Sequence, residues 1–190
     1  MKKGKTDAKK SQIFSKYAKL IANEARMALS TGSRQGSVNR DAPALRAAIE
    51  RARKENMPND SIDRAVKKAT EGGGALEAIM YEGYGPGGVA LLIEVLTDSR
   101  NRSAGEIKHL LAENGGNLAG PGAAVWAFEK RTTLASGDGG TPFGKGDTAH
   151  ESWVATTTVP LEDADLEKLD KLVETLEANE DVQEVVTNAE

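Results

Sequence analysis

The sequence contains no cysteine, only two histidines, and few aromatic residues, which make up 4% of its 190 positions. Without cysteine the chain can have no disulfide framework, iron–sulfur cluster, thiol nucleophile or cysteine-rich zinc site. His109 and His150 lie far apart and offer little for a catalytic triad or a metal centre. No apolar run approaches the roughly 18 residues of a membrane span, and no signal peptide is recognisable. We therefore expect a cytoplasmic protein that binds no membrane, metal or cofactor.

The charges are divided unevenly along the chain, although the net charge is only −4. Residues 1–70 hold 17 Lys and Arg against 7 Asp and Glu, a net charge of +10. Residues 71–190 hold 8 basic against 22 acidic side chains, a net charge of −14. A basic segment of this kind attracts phosphate groups, whereas the acidic remainder does not.

The basic part has the apolar spacing of amphipathic helices. One helix is expected from about Asp7 to Ser30, a second from Asp41, whose side chain would cap it, and a third after Asp60. Three short helices of this type predict a small bundle over residues 1–71. The glycines at 72–74 lie in a linker, residues 72–75, that we take as the domain boundary.

The acidic part, residues 76–190, alternates strand-like and helical segments. Helices are expected at 103–113 and 163–178, and strands at 89–96, 123–128, 153–159 and 182–186, with an extra N-terminal strand at 76–81. This order predicts a ferredoxin-like βαββαβ sheet with helices on one face, and hence an α+β protein. Residues 135–152 have the composition of a glycine-rich loop.

Two glycine patterns resemble nucleotide-binding motifs, but their contexts do not fit. Residues 83–88 match G-x-G-x-x-G, yet a strand rather than a helix follows, so a tight turn is the better interpretation. Residues 139–145 resemble a P-loop, but Gly146 stands where a magnesium-binding Ser or Thr is required. The carboxylates of the 163–178 helix are interpreted as a solvated face.

Basic side chains are the candidate binding residues that remain. The lysines of the first nineteen residues suit nucleic-acid phosphates, but a solvated face or an anionic membrane surface is also compatible with them. Arg100 and Arg102 follow a strand and could bind phosphates bidentately or pair with neighbouring acids. Phe14 and Tyr17 lie on an apolar helix face and are interpreted as core residues rather than base-stacking residues.

Several strings occur in one characteristic order: TDAKK (6–10), IFSK (13–16), LRAAIE (45–50), NMPNDSI (56–62), YEGYGPGGVA (81–90), TDSRNR (97–102) and NGGNL (114–118). In this order they resemble the YebC family, which includes probable transcriptional regulators and a mitochondrial translational activator of cytochrome c oxidase subunit one. The resemblance spans residues 6–131 and resumes at 159–188. The chain departs from the family in lacking its usual N-terminal segment and in carrying the 135–152 loop where the family has an additional inserted domain.

The resemblance implies a non-enzymatic regulator of gene expression that binds nucleic acid, and we expect the protein to be a monomer. Our leading hypothesis is a translation factor that contacts ribosomal RNA or transfer RNA on the ribosome, and the alternative is a DNA-binding transcriptional regulator. An enzyme acting through His109, Asp98 or Arg100 is the third class, for which we find no nucleophile–base pair. The candidate nucleic-acid-binding residues are Lys9, Lys10, Lys16, Lys19, Arg26, Arg51, Lys54, Arg100 and Arg102.

Overall fold

The computed structural model describes residues 3–30, 38–71, 76–135 and 148–190. The chain divides into two compact units, Met1–Leu76 and Glu77–Glu190. The predicted linker at 72–75 lies outside the described residues, and the division falls directly after it. Among the described helices, none is both long enough and apolar enough to cross a membrane.

The first unit consists of helices α1 (Lys3–Ser30), α2 (Pro43–Lys54) and α3 (Asn59–Thr70). Both shorter helices pack on α1. Their common core is rich in alanine, which allows the helix axes to approach closely, and its fully or nearly fully buried members include Ile21, Ala25, Leu45, Ala52 and Ile62.

The start of α2 differs from the expectation that Asp41 caps it. Ala42 is the N-cap residue, and no side chain bonds the first-turn N–H groups there. Pro43 occupies the first turn as expected and favours an extended conformation in the preceding residue, which Ala42 adopts. Asp41 instead lies in a turn in which its backbone N–H donates to Asn39 Oδ1 at 3.0 Å.

The second unit is built on a four-stranded antiparallel sheet, together with two helices and a two-stranded hairpin. The sheet has the order β3-β1-β2-β6 and the hairpin pairs β4 with β5. The elements are β1 (Glu77–Tyr84), β2 (Ala90–Thr97), α4 (Arg100–Glu113), β3 (Asn117–Ala119), β4 (Phe128–Ala135), β5 (Thr148–Ala155), α5 (Asp163–Glu177) and β6 (Val182–Thr187).

Strand β2 is buried on both faces of the sheet. Leu91 and Ile93 pack in the core that includes α4 and α5, whereas Leu92 packs in a second core with Phe128 and Trp153. Burial on both faces explains why β2 is apolar at nearly every position except Glu94, rather than alternating between apolar and polar residues. The α+β class, with helices on one face of an antiparallel sheet, is therefore confirmed.

The strand connections differ from the expected βαββαβ order. Residues 123–127 form a loop and a 3₁₀ turn rather than a strand, and the segment expected as a sheet strand at 153–159 belongs partly to the β4–β5 hairpin. The strand expected as an N-terminal extra, β1, lies inside the sheet between β2 and β3. The reason is local: β1 and β2 are joined by a few residues and pair in register along eight positions. The predicted loop 135–152 is wrong at 148–152, which belong to β5.

The 83–88 glycine pattern forms the tight turn between β1 and β2. The backbone N–H of Gly85 donates to Val89 O at 2.8 Å, and Gly87 has a φ of 69°. This positive φ favours glycine, and a Cβ at Gly87 would lie 2.2 Å from Leu161 Cδ2, so the leucine side chain would have to move to admit one. A strand follows the turn, as expected. The P-loop-like residues 139–145 lie outside the described part of the chain.

Candidate nucleic-acid interface

Three basic side chains of α1 share one side of the helix. Lys16, Lys19 and Arg26 are spaced by three and seven residues, so they project in similar directions, away from the buried Ile21 and Ala25. All three are partly exposed, and each also takes part in an interaction within the protein. They form a basic side of α1 that is accessible, and each of its three charges also interacts with another group of the protein.

The other two candidates on α1 are not grouped with these three. Lys10 is exposed, but it precedes Tyr17 by two helical turns and therefore lies on the apolar side of the helix. Lys9 belongs to α1, and its side chain lies outside the described residues. The structure thus brings together three of the five predicted α1 residues.

The candidates on α2 lie at its C-terminal end. Arg51 and Lys54 are exposed in the last turn, together with Arg53. Cations at this position also stabilise the helix dipole, so part of their role is structural. Burial and the nearby charge of Glu55 raise the pKa of Tyr17, while Arg51 lowers it, which places Arg51 close to the α1 side chain.

Sequence reasoning missed further exposed cations on α2 and α3. These side chains are Arg46, Arg53, Arg64, Lys67 and Lys68. Their positions could have been found by marking the sides of each helix that lie away from the apolar residues. The accessible basic charge of the first unit is therefore spread over three helices rather than concentrated on α1.

The aromatic residues of α1 belong to the core of the first unit. Phe14 and Tyr17 are half-buried and pack against the buried cluster that includes Ile21 and Leu45. This packing supports their interpretation as core residues. It also means that base stacking, if the protein uses it, requires an aromatic ring elsewhere.

In the second unit, Arg100 is exposed at the first turn of α4. Its Nη1 lies 3.7 Å from Glu77 Oε1, a long surface ion pair that contributes little stability. The carbonyl of Arg100 accepts a hydrogen bond from Tyr81 Oη at 3.0 Å, which ties the start of α4 to β1. Burial raises the pKa of Tyr81, so this hydroxyl stays protonated and donating at neutral pH.

Arg102 pairs with neighbouring acids, which is one of its two expected alternatives. Its Nη2 lies 2.9 Å from Asp98 Oδ1 and 2.9 Å from Asp181 Oδ2. The hydrogen bonds to Asp181 and then to Asp98 raise the pKa of Arg102 above its usual value. The guanidinium is half-exposed, so a phosphate would have to compete with two carboxylates for it.

Asp181 is the centre of a buried polar cluster. Its Oδ2 lies 2.8 Å from Ser103 Oγ and 3.1 Å from Thr97 Oγ1, and all three side chains are at most 4% exposed. The cluster joins the end of β2, the first turn of α4 and the residue before β6. The cluster therefore holds these three elements together. Because Ser103 is buried and faces a carboxylate rather than an imidazole, it is not an accessible nucleophile. Within the described ranges, no group of three or more His, Asp or Glu could hold a metal ion.

Family models match nearly the whole length of the chain in separate parts. The model described as the TACO1/YebC protein N-terminal domain matches residues 1–72. The model described as the TACO1/YebC second and third domain matches residues 76–140 and 139–189. The two pieces of the second match meet between β4 and β5.

Curated relatives match along the full chain. A "Probable transcriptional regulatory protein" of Desulforamulus reducens is 36% identical over 238 residues, covering 100% of this chain and 94% of the relative. A protein of the same description from Pelotomaculum thermopropionicum is 37% identical over 235 residues, again with 100% and 94% coverage. Because the first alignment has 238 positions and this chain has 190 residues, at least 48 positions of the alignment have no residue of this chain.

A solved structure has the same fold. The crystal structure of a conserved hypothetical protein from Aquifex aeolicus matches with a TM-score of 0.78 and 30% sequence identity. The match covers 100% of this chain and 94% of the other. Its agreement extends over both units of the chain.

Proposed function

This chain belongs to the TACO1/YebC family, and from that membership we propose that it is a nucleic-acid-binding regulator of gene expression. The observation that supports this proposal best is the first unit, in which exposed Lys and Arg side chains cover the outer sides of three helices. Such a surface attracts phosphate backbones by releasing counterions, without distinguishing one sequence from another. We further propose that the protein acts without catalysing a reaction, as the regulatory names of its relatives suggest.

Within this class we propose a translation factor that acts on the ribosome or its RNA. The basic unit would contact phosphates of ribosomal or transfer RNA, and the acidic unit would orient it within an assembly of protein and RNA. An acidic companion unit suits docking into an assembly of protein and RNA better than lying along duplex DNA. The candidate contacts are the basic side of α1, formed by Lys16, Lys19 and Arg26, together with Arg51 and Lys54 on α2.

Co-sedimentation with ribosomes at a series of salt concentrations tests the proposal. The variant carries Lys16→Glu, Lys19→Glu and Arg26→Glu, and we expect it to sediment much less than the parent protein. If each cation releases one counterion, the slope of log binding constant against log salt falls by about 2 for single-stranded RNA.

The matched control reverses three exposed lysines of the second unit, Lys108, Lys168 and Lys171, and so changes the net charge equally. Thermal unfolding of each variant checks that α1 still folds. Unchanged co-sedimentation of a folded α1 variant would overturn this assignment of the interface.

The second candidate is a DNA-binding transcriptional regulator, which the names of the curated relatives favour. The same basic side of α1 would then bind duplex DNA, with a salt slope reduced by about 2.7 in the triple variant. Binding to a duplex that is tighter than binding to ribosomes or RNA, and that prefers particular sequences, would favour this candidate.

A further inference from the structure

Trp126 is an exposed ring on an otherwise well-packed part of the second unit. It lies in the 3₁₀ turn Val125–Ala127, and its side chain is 60% exposed although Ala124 and Ala127 on either side are fully buried. Its indole Nε1 donates to Ala123 O at 2.8 Å. The polar group of the ring is therefore satisfied within the protein, and the exposed part is the aromatic surface.

The loop that carries Trp126 is fixed to β1 by a buried carboxylate. Glu82, which is 9% exposed, accepts backbone N–H bonds from Gly122 at 2.7 Å, Ala124 at 2.7 Å and Val125 at 2.9 Å. Tyr84 Oη donates to the carbonyl of Ala123. Burial raises the pKa of Glu82, but the three N–H bonds together lower it by more. The pKa is therefore below its usual value and the carboxylate is charged at neutral pH. The loop thus holds an exposed tryptophan in a defined position.

Exposed large apolar side chains are uncommon in the described part of the chain. They are Met27, Trp126 and Leu166, and of these three Trp126 is the aromatic residue. The residues before it in the loop, Gly120, Pro121 and Gly122, are small and exposed, and the first three β4 residues after Phe128 are charged. A protein-binding hot spot is normally surrounded by other apolar contacts, which this sequence neighbourhood does not supply.

We propose that Trp126 stacks on an unpaired base of a single-stranded nucleic acid. One isolated aromatic face matches one base, and its small neighbours leave room for a flat ligand. Since the indole N–H is already bonded, stacking would tolerate any base rather than select one. Lys130 and Arg131 are exposed four and five residues further on, within roughly 18 Å along the chain. Lys130 Nζ lies 5.5 Å from the centroid of the Trp153 ring and Arg131 pairs with Glu129, so the backbone of the stacked strand would compete with these partners for the two cations. This inference rests on the proposed nucleic-acid binding and deepens it by selecting single strands.

The test uses the full chain with Trp153→Phe as background, so that Trp126 is the only remaining tryptophan. The indole N–H of Trp153 has no hydrogen-bond partner, so this background substitution breaks no hydrogen bond, and phenylalanine keeps an aromatic ring beneath Lys130, whose Nζ lies 5.5 Å from the Trp153 ring centroid. The probes are an oligo(U) single strand and an RNA duplex of equal length. We expect the single strand, but not the duplex, to quench the fluorescence of Trp126.

In affinity measurements, Trp126→Ala should weaken single-strand binding by about 5- to 150-fold and leave duplex binding unchanged. Trp126→Phe should retain most of the affinity, because it keeps an aromatic face. Equal single-strand binding by the parent and Trp126→Ala would overturn the inference while leaving the proposed function intact. A Trp126→Ala variant that binds the oligonucleotide as tightly as the parent but no longer co-sediments with ribosomes would also overturn the inference. Trp126 would then contact a protein of the ribosome rather than an unpaired base. A parent protein that binds neither probe nor ribosomes would overturn the proposed function itself, and the inference with it.

Discussion

Replacing Glu82 with glutamine tests how strongly the Trp126 loop is held. The substitution keeps the shape of the side chain but exchanges a charged oxygen for an amide nitrogen. In the parent protein Oε1 accepts from Gly122, and Oε2 accepts from both Ala124 and Val125. The best orientation of glutamine places its carbonyl at the Oε2 position, which turns Nε2 towards the Gly122 N–H.

The cost follows from this geometry. One hydrogen bond to a charged group is lost, two donors face each other, and the two remaining bonds lose their charge assistance. Hydrogen bonds to charged groups contribute about 1.5–3 kcal/mol each, and a buried unsatisfied donor costs about 1–3 kcal/mol. Because such contributions are not additive, we expect Glu82→Gln to lower the free energy of unfolding by about 2–4 kcal/mol at pH 7.

The pH dependence provides a second readout of the same group. Since the folded pKa of Glu82 is below its usual value, its contribution is complete above the unfolded pKa of about 4.3 and is lost as pH falls through the folded pKa. The free energy of unfolding of the parent should therefore fall more steeply with acidification below about pH 5 than that of Glu82→Gln.

Urea unfolding followed by tryptophan fluorescence measures both effects. Both tryptophans, Trp126 and Trp153, belong to the second unit, so the signal reports that unit directly. Glu177→Gln on the exposed side of α5 is the matched control and should change the free energy by less than about 0.5 kcal/mol. A Glu82→Gln loss no larger than the control would refute the role assigned to this carboxylate.

Four other substitutions test the framework of the second unit by urea unfolding. Gly83→Ala would place a Cβ 2.8 Å from Asn117 O and should cost about 1–3 kcal/mol, whereas Gly105→Ala, in open space on α4, should stabilise by up to about 1 kcal/mol. Asn188→Ala removes bonds to Ala90 N at 2.7 Å and Thr157 O at 2.9 Å and should cost about 2–4 kcal/mol; unchanged amide exchange at Ala90 would contradict this. Asp181→Ala removes the buried carboxylate that accepts from Thr97 and Ser103 and pairs with Arg102, and should cost about 2–4 kcal/mol; a loss below about 1 kcal/mol would contradict the clustering.

The helical elements were predictable because their signals are local. The apolar spacing on α1 and α3 predicted both the helices and the side each one buries, since the core is assembled from those same positions. The α2 start was mispredicted because two adjacent features, a capping residue and a proline, favoured different N-cap positions. The geometry of Pro43 determined the outcome.

The strand connections of the sheet were not predictable in the same way. Strand pairing joins residues that are distant in sequence, and the pattern of one strand does not identify its neighbour. A Cβ at Gly116 would lie 2.7 Å from Tyr84 O, so β3 approaches the end of β1 where glycine permits it. That contact depends on how the two strands pair in space, and the composition of the sequence does not indicate it. The exposed position of Trp126 was not predicted, for a related reason. Residues 123–128 have the pattern of a strand, and a strand would have placed its side chains alternately on the two faces of a sheet.

The β4–β5 hairpin separates the Trp126 loop from the point at which the family match is interrupted. Strands β4 and β5 pair with each other along eight positions, and the open end of the hairpin packs in the second core through Phe128, Trp153 and Ala155. The family match is interrupted near residues 139–140, beyond the opposite end of these strands. The Trp126 loop is held at the open end of the hairpin by Glu82 of β1, so the hydrogen bonds that fix it lie away from the interruption of the family match.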